Sequence, residues 1–299
     1  MKNTNKSRTF EYTVTDEDEG SRVKDILSKK GNYSRREVTS LNANHGIFLN
    51  GETVRLSETV KAGDRIKAQM SDLEANRHGI LPDTLEILYE DNDLILINKP
   101  AGLSVHATKE HEKDHIGTLL KKHLGSDYIV RPAGRLDKDV SGVMCYAKSK
   151  EAAAALERQR LEDTEHHNFH KVYYAVIHGF MDKKEGTLKY RLEKGNDKAQ
   201  HISENGLLCI TDYKVLKEMK DTSFVEVSIR TGRNHQIRAG FSGLGHPLVG
   251  DRLYGGTTRI ARPALHCGKL TLQQPFTHKT IHVEAPLPED MKKLIQKNE

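Results

Sequence analysis

Tryptophan is absent from the 299 residues, and cysteine occurs only three times. Cys145, Cys209 and Cys267 lie far apart, with no C-x-x-C spacing. That argues against a disulfide framework and a tetrathiolate zinc site, and it fits a reducing compartment. No apolar run approaches ~18 residues, so no transmembrane helix is expected. The opening MKNTNKSRTFEY has no apolar core of the kind a secretory signal carries. A cytoplasmic protein without a membrane role is the expectation. Motifs for nucleotides and hydrolysis are missing too. Neither G-x-x-x-x-G-K-[ST] nor a G-x-G-x-x-G after a strand occurs, and H-E-x-x-H and G-x-S-x-G are absent. Sixteen histidines suggest a metal, but His166, His167 and His170 have no carboxylates placed to close a site. Neither a metal nor a cofactor is expected.

Charge is nearly balanced. Lys and Arg number 47 against 42 Asp and Glu, a net of +5. An excess this small makes the placement of basic residues more informative than their number. At about 150 residues per domain the length suggests two domains. Residues 1–9 read as a polar, disordered tail. Residues 10–72 read as a small module, residues 73–82 as a linker ending in proline, and residues 83–299 as a larger module.

In the small module, Val23, Ile26 and Leu27 share one helical face, and Gly31 reads as the stop. Ser34 and Glu37 have capping-box spacing, so a second helix should start there with Val38 and Leu41 on its apolar side. GIFLNGETV reads as a tight hairpin about Asn50-Gly51, and a further turn falls at Gly63-Asp64. Between Ser21 and Arg36 stand Arg22, Lys24, Lys29, Lys30, Arg35 and Arg36 against one acid, Asp25. Charge of this kind suits phosphate contacts, although a solvated helical face would look the same. The helix, the SRRE start of the next one, the GIFLNG hairpin and the closing AGDRI together resemble the S4 RNA-binding domain. That resemblance implies RNA contacts from Arg22, Lys24, Lys29, Lys30, Ser34, Arg35 and Arg36.

The larger module opens with LEILYE and LILINKP, two strands joined by Asp91-Asn92-Asp93. A helix is expected over Ile116 to Leu124 and another over Ser149 to Arg160. Strands are expected at Val143 to Ala147, KVYYAVIHG, LLCITDYKVL, SFVEVSIRTG, Ala264 to Leu272 and Thr280 to Ala285. Asn234 reads as the cap of a short helix beginning HQIR, and Glu289 to Lys297 as a last helix. Many strands with few interleaved helices argue for an α+β fold rather than a doubly wound parallel sheet.

Two segments can carry chemistry. GRLDKDVSG, Gly134 to Gly142, puts Arg135 and Asp137 in a loop before a strand, where a carboxylate is exposed. Alone, it reads first as a turn with a local ion pair. TGRNHQIRAGFSGLGHPLVGDRLYGG, Thr231 to Gly256, holds seven glycines. Between Ser228 and Leu270 there are seven Lys or Arg and one acid, Asp251. Such a strand, short helix and glycine-rich loop can form a positive cleft for a polyphosphate.

In this order, with LEILYEDNDLILINKPAGLSVH before them, KVYYAV between them and PALHCGKLTLQQPFT and APLPEDM after them, these segments resemble the RluA-type pseudouridine synthases. The likeness runs from about Leu85 to Asp290. It departs at Gly134, where the family usually has histidine. The resemblance implies a mixed or antiparallel sheet flanked by helices. It implies an RNA isomerase in which uridine leaves its stack, its glycosidic bond breaks, and the base rejoins through carbon. Asp137 is then the catalytic carboxylate, as nucleophile or as base. Arg238 is the cation that keeps it charged, its planar fork suited to both carboxylate oxygens. Tyr173 stacks on the uracil and assists proton removal at carbon. Arg135 fills the space of the flipped base, and Ile237 packs beneath it. Arg233, His235 and Gln236 complete the substrate contacts. Ribosomal RNA is the expected target, with transfer RNA the alternative, and a monomer without an obligate protein partner is expected. A non-catalytic RNA-binding protein of the same fold and a glycosidic hydrolase are the competing functions.

Overall fold

The computed structural model describes residues 9–31, 33, 38, 41–42, 46–69, 84–105, 115–162, 169–195, 199–257 and 259–297. The chain forms two compact units, divided between His78 and Gly79.

In the first unit, β1 (Thr9–Thr13), β2 (Ile47–Leu49), β3 (Glu52–Thr53) and β4 (Arg65–Gln69) form a sheet in the order β1-β4-β2-β3. Helix α1 (Val23–Lys29) buries Val23, Ile26 and Leu27. These pack with Val38, Leu41, Ile47 and Ile66 into a core of their own. The β2–β3 turn is Asn50-Gly51, both residues at positive φ, 53° and 92°. That pair matches the twist of a two-residue hairpin. The Asn50 amide donates to Asp64 at 2.8 Å, and its oxygen accepts from the Arg65 amide at 2.9 Å, which ties the two turns together. β1 begins at Thr9, the last position of the expected polar tail, and the sequence reading names no strand there. The proposed capping box at Ser34 and Glu37 lies outside the described residues.

The second unit is built on one sheet of eleven strands among the described residues. In chain order its elements begin with β5 (Ile87–Glu90), β6 (Leu94–Lys99), α2 (Ile116–Leu124), β7 (Arg131–Pro132), β8 (Ser141–Ala147) and α3 (Lys150–Glu162). Then come β9 (Phe169–His178), β10 (Glu185–Lys194), β11 (Gln200–Ile202), β12 (Leu207–Glu218) and β13 (Thr222–Ile229). Helix α4 (Gln236–Gly243), β14 (Leu265–Gln273), β15 (Thr280–Glu284) and α5 (Glu289–Lys297) close the unit. The strand order is β11-β10-β12-β13-β9-β14-β8-β6-β5, with β15 on β14 and β7 on β8. Only β14 and β8 run parallel, so the α+β expectation holds.

The centre of the sheet is apolar on both faces. Every residue of β8, SGVMCYA, is buried, as are Leu94 to Ile97 of β6. Such strands read as continuous apolar runs rather than alternation. Helix α3 packs on β8 and β9, and Met291 and Leu294 of α5 cover Val176 and Val249. Where β8 leaves the Asp137 loop, Gly142 has φ +116° and crosses β14 so closely that a Cβ would lie 2.1 Å from the Cys267 carbonyl oxygen. No helix among the described residues is long and apolar enough to cross a membrane.

Candidate active site

The loop before β8 presents Asp137. Two buried cations hold it from behind. Lys99, at the end of β6, donates from its ammonium to the carbonyls of Pro100, Leu103 and Lys138, each at 2.9 Å. Burial pushes this amine down to about 7, while three carbonyl acceptors match the three protons of the charged form. Arg262 donates to the Leu265 and Pro263 carbonyls at 3.1 and 3.2 Å and forks onto Asp290.

The 231–243 stretch brings Arg238 to Asp137. Its Nη1 donates to Asp137 Oδ2 at 2.9 Å. The fork itself goes elsewhere. Nε and Nη2 donate to the two oxygens of Asp251, at 2.6 and 2.9 Å. Asp251 is 1% exposed, and the side chain of Asp137 is 25% exposed. The expected bidentate grip on Asp137 is therefore corrected. Arg238 binds the buried carboxylate with its fork and offers one remaining N–H to the accessible one. Burial works against the arginine charge, and Asp251 and then Asp137 more than offset it, so the Arg238 pKa is raised. The guanidinium also lies 5.2 Å from the ring centre of Tyr254.

The helix cap differs from expectation. His235, not Asn234, is the N-cap of α4, in the left-handed region at φ 53°. The reason is the contacts of its ring. Tyr254 Oη accepts from the Gln200 amide at 2.8 Å and lies 2.9 Å from His235 Nδ1. A hydroxyl that donates to Nδ1 leaves the proton on Nε2, which faces Asp137 Oδ2 at 3.6 Å. Burial holds the His235 pKa down. Gln236, expected to contact substrate, has its amide fully engaged within the protein. Its oxygen accepts from Thr231 and from the Arg233 amide, and its nitrogen donates to the Ile210 carbonyl and to Thr211. It shapes the loop.

Tyr173 of β9 is buried beside Asp137, and burial pushes its phenol well above the usual value. Its place beside Asp137 fits the expected stacking on a base bound in the cavity. Asp137, Tyr173, Arg238, Arg135, Ile237, Arg233, His235 and Gln236 all line one cavity of about 360 Å³. That size suits a small-molecule or single-nucleotide pocket. Six cations reach its wall: Arg135, Arg160, Lys171, Arg230, Arg233 and Arg238. Asp137 is the one acid on it.

A carboxylate held by a buried arginine, in an otherwise cationic pocket, is a site for a polyanion with a reacting carbon. The family profile described as RNA pseudouridylate synthase matches residues 93–242, which includes this site. The chain belongs to the RNA pseudouridine synthase family. It is therefore an RNA isomerase, converting uridine to pseudouridine within the chain of its substrate. The profile of the RluD ribosomal pseudouridine synthase N-terminal domain matches residues 10–66. Among curated relatives, the uncharacterized RNA pseudouridine synthase YhcT of Bacillus subtilis is 32% identical, with 97% of each chain covered. The ribosomal large subunit pseudouridine synthase D of Xylella fastidiosa is 33% identical, over 95% of this chain and 90% of that one. The solved structure of human RNA Pseudouridylate Synthase Domain Containing 4 has a TM-score of 0.57 at 25% identity. It covers 71% of this chain and 92% of that one.

Asp251, Tyr254 and Lys171 of this synthase were not named from sequence as site residues. Asp251 did carry a signal, as the one acid in the basic stretch. In the first unit, Arg22, Lys24 and Lys29 are exposed. Lys30 differs. It pairs with Asp18 at 3.2 Å, and Asp18 also accepts from the Tyr12 hydroxyl, so this lysine is tied into the fold. Ser34, Arg35 and Arg36 lie outside the described residues.

Proposed function

We propose that this synthase modifies specific uridines of large-subunit ribosomal RNA, using Asp137 as its catalytic carboxylate. The contact of Arg238 Nη1 with Asp137 carries the reading of the site. It keeps a negative charge in a pocket whose other walls attract phosphate. The choice of RNA is supported by the relatives named ribosomal large subunit pseudouridine synthase D and by the first unit's likeness to the RluD N-terminal domain.

In this reading the phosphodiester backbone follows the exposed Arg135 and Arg233, and the target uridine turns out of its stack into the cavity. Arg135 occupies the space left behind. Tyr173 and Ile237 face the base. Asp137, beside the sugar carbon, acts there as nucleophile or base while the glycosidic bond breaks. Residues 10–72 act as an S4-like RNA-binding domain through Arg22, Lys24 and Lys29. The enzyme acts as a monomer in the cytoplasm.

Mapping pseudouridine across the RNA of a strain lacking the gene tests the target. Sites should disappear from large-subunit ribosomal RNA and return with the wild-type gene. They should not return with Asp137→Asn, which keeps the shape and removes the charge. Loss of sites from transfer RNA alone would overturn the target, and restoration by Asp137→Asn would overturn the catalytic carboxylate.

A further inference from the structure

Six cations line the pocket, and their partners differ. Arg238 is held by Asp137 and Asp251. Arg230 forks onto Asp212, and Arg160 onto Glu157. Arg135 and Arg233 are exposed, so water solvates them. Lys171 is 8% exposed, and of the two buried cations, it and Arg238, it alone has no carboxylate partner among the described residues.

Its position follows from the strand. On β9, Phe169, Lys171 and Tyr173 alternate with outward residues, so all three point to the same face, and all three line the cavity. The titratable groups facing the amine are Cys145 of β8, Cys267 of β14 and Arg160 of α3. Burial pushes the two thiols up, to about 12 and about 11, so neither is an anion at neutral pH. Lys171 lines the pocket, and its Nζ lies 5.8 Å from the centre of the Phe169 ring. Gly134, in the Asp137 loop at φ +76°, has no side chain, and a Cβ there would lie 3.4 Å from Lys171 Nζ. A buried ammonium without a counter-charge is costly unless a ligand supplies one.

We infer that Lys171 is a further catalytic residue of this synthase, whose ammonium stabilises the uracil anion released when the glycosidic bond breaks. The inference rests on placing the reaction at Asp137. Heterolysis of the C1′–N1 bond leaves its electron pair on the uracil, where N1, O2 and O4 share the charge. Asp137 either bonds to the sugar carbon or takes a proton from the ribose, and both routes leave the same anion. C5 then bonds to C1′ as the Asp137–C1′ bond breaks or as Asp137 returns the ribose proton, and the C5 proton is lost to water while N1 takes one up, so the product is an isomer of the substrate. Lys171 donates a hydrogen bond throughout and keeps its proton. The need for an anion is met in the step where one forms, and a donor aimed at developing charge accelerates that step. Burial holds the lysine pKa below its usual value, so the protonated form is lost at a lower pH than in a solvated lysine.

The test uses the full-length protein and total RNA from a strain lacking the gene, grown with or without 5-fluorouracil. Fluorine stabilises the departing anion, so a 5-fluorouridine site depends less on Lys171. Lys171→Met should slow single-turnover loss of uridine on the order of 100-fold, the scale of a missing donor to developing charge. It should slow loss of 5-fluorouridine by a clearly smaller factor. Its RNA affinity should stay near wild type, and its melting temperature should not fall, because an unpaired buried charge has been removed. Lys171→Arg should recover part of the rate and move the alkaline fall in activity to higher pH. Equal losses on uridine and 5-fluorouridine, or a loss confined to RNA affinity, would overturn the role in favour of phosphate binding. So would a wild-type rate in Lys171→Met. Asp137→Asn runs alongside. If it is inactive while Lys171→Met is fully active, Lys171 alone has been misplaced. If Asp137→Asn is itself active, the reaction is not at Asp137 and both readings fall.

Discussion

Arg238 holds two carboxylates of different kinds, and the difference predicts how each variant fails. Asp251 is buried and receives two N–H groups, while Asp137 is partly accessible and receives one. Replacing Asp251 by Ala leaves a buried guanidinium with only the single contact to Asp137. Breaking a buried pair from one side costs about 3–5 kcal/mol. Asp251→Ala should therefore lose stability on that scale in urea denaturation and lose activity with it, because the group that positions Asp137 is no longer fixed. Asp137→Asn should lose activity with a stability change of about 1 kcal/mol or less, since its contact is partly solvated. Equal stabilities for the two variants would show that Arg238 does not depend on Asp251. The resemblance to the family implied Asp137, Arg238 and Tyr173 in one pocket, but not this division of labour. A fork's choice between two carboxylates depends on which one the fold buries. The same holds for Gln236, whose polar side chain looks available for substrate until the loop has closed around it.

At the scale of elements, His266 joins the strands behind the site. Ser141 Oγ of β8 lies 2.9 Å from its Nδ1, and its Nε2 faces the Ala285 carbonyl at 3.3 Å. A carbonyl only accepts, so the proton sits on Nε2 and Nδ1 accepts from the serine. Burial pushes the His266 pKa down from 6.5 to about 4. The folded protein then binds this proton less readily than the unfolded chain does. Stability is fully present above about 6.5 and falls as the pH drops toward 4, by roughly 3 kcal/mol. His178 and His235 are shifted in the same direction, also chiefly by burial, and add to the loss. Urea midpoints at pH 7.5 and 4.5 should show the fall, and His266→Gln should reduce it. An unchanged pH dependence in that variant would place the loss elsewhere. The strand and helix pattern itself was largely legible. Ile116–Leu124 and Glu289–Lys297 are helices where their periodicity predicts them. β10 was not named although Leu188, Tyr190 and Leu192 turn inward between Thr187, Lys189, Arg191 and Glu193, a period-2 signal that could have found it. The left-handed cap at His235 escaped because it depends on Tyr254, nineteen residues away.

For the whole molecule, the proposed division of work between recognition and chemistry follows the two compact units. Every residue assigned to the reaction lies after Gly79, and the exposed basic residues Arg22, Lys24 and Lys29 lie before it. Removing residues 1–82 should weaken RNA binding and leave the chemistry in place. The second unit keeps its own core, so the shortened protein should fold. Each phosphate contact releases condensed counterions, and the logarithm of affinity falls with the logarithm of salt in proportion to the number of contacts. Full-length protein should therefore show the steeper salt dependence. With three exposed cations in contact, the slope should drop by about 2–3 on truncation, at 0.7–0.9 per contact. The truncated enzyme should still modify short target fragments at saturation, with the loss mainly in KM. An unchanged salt slope would show that the first unit does not touch the RNA backbone. Loss of turnover at saturation in a folded truncation would show that it helps to complete the active site.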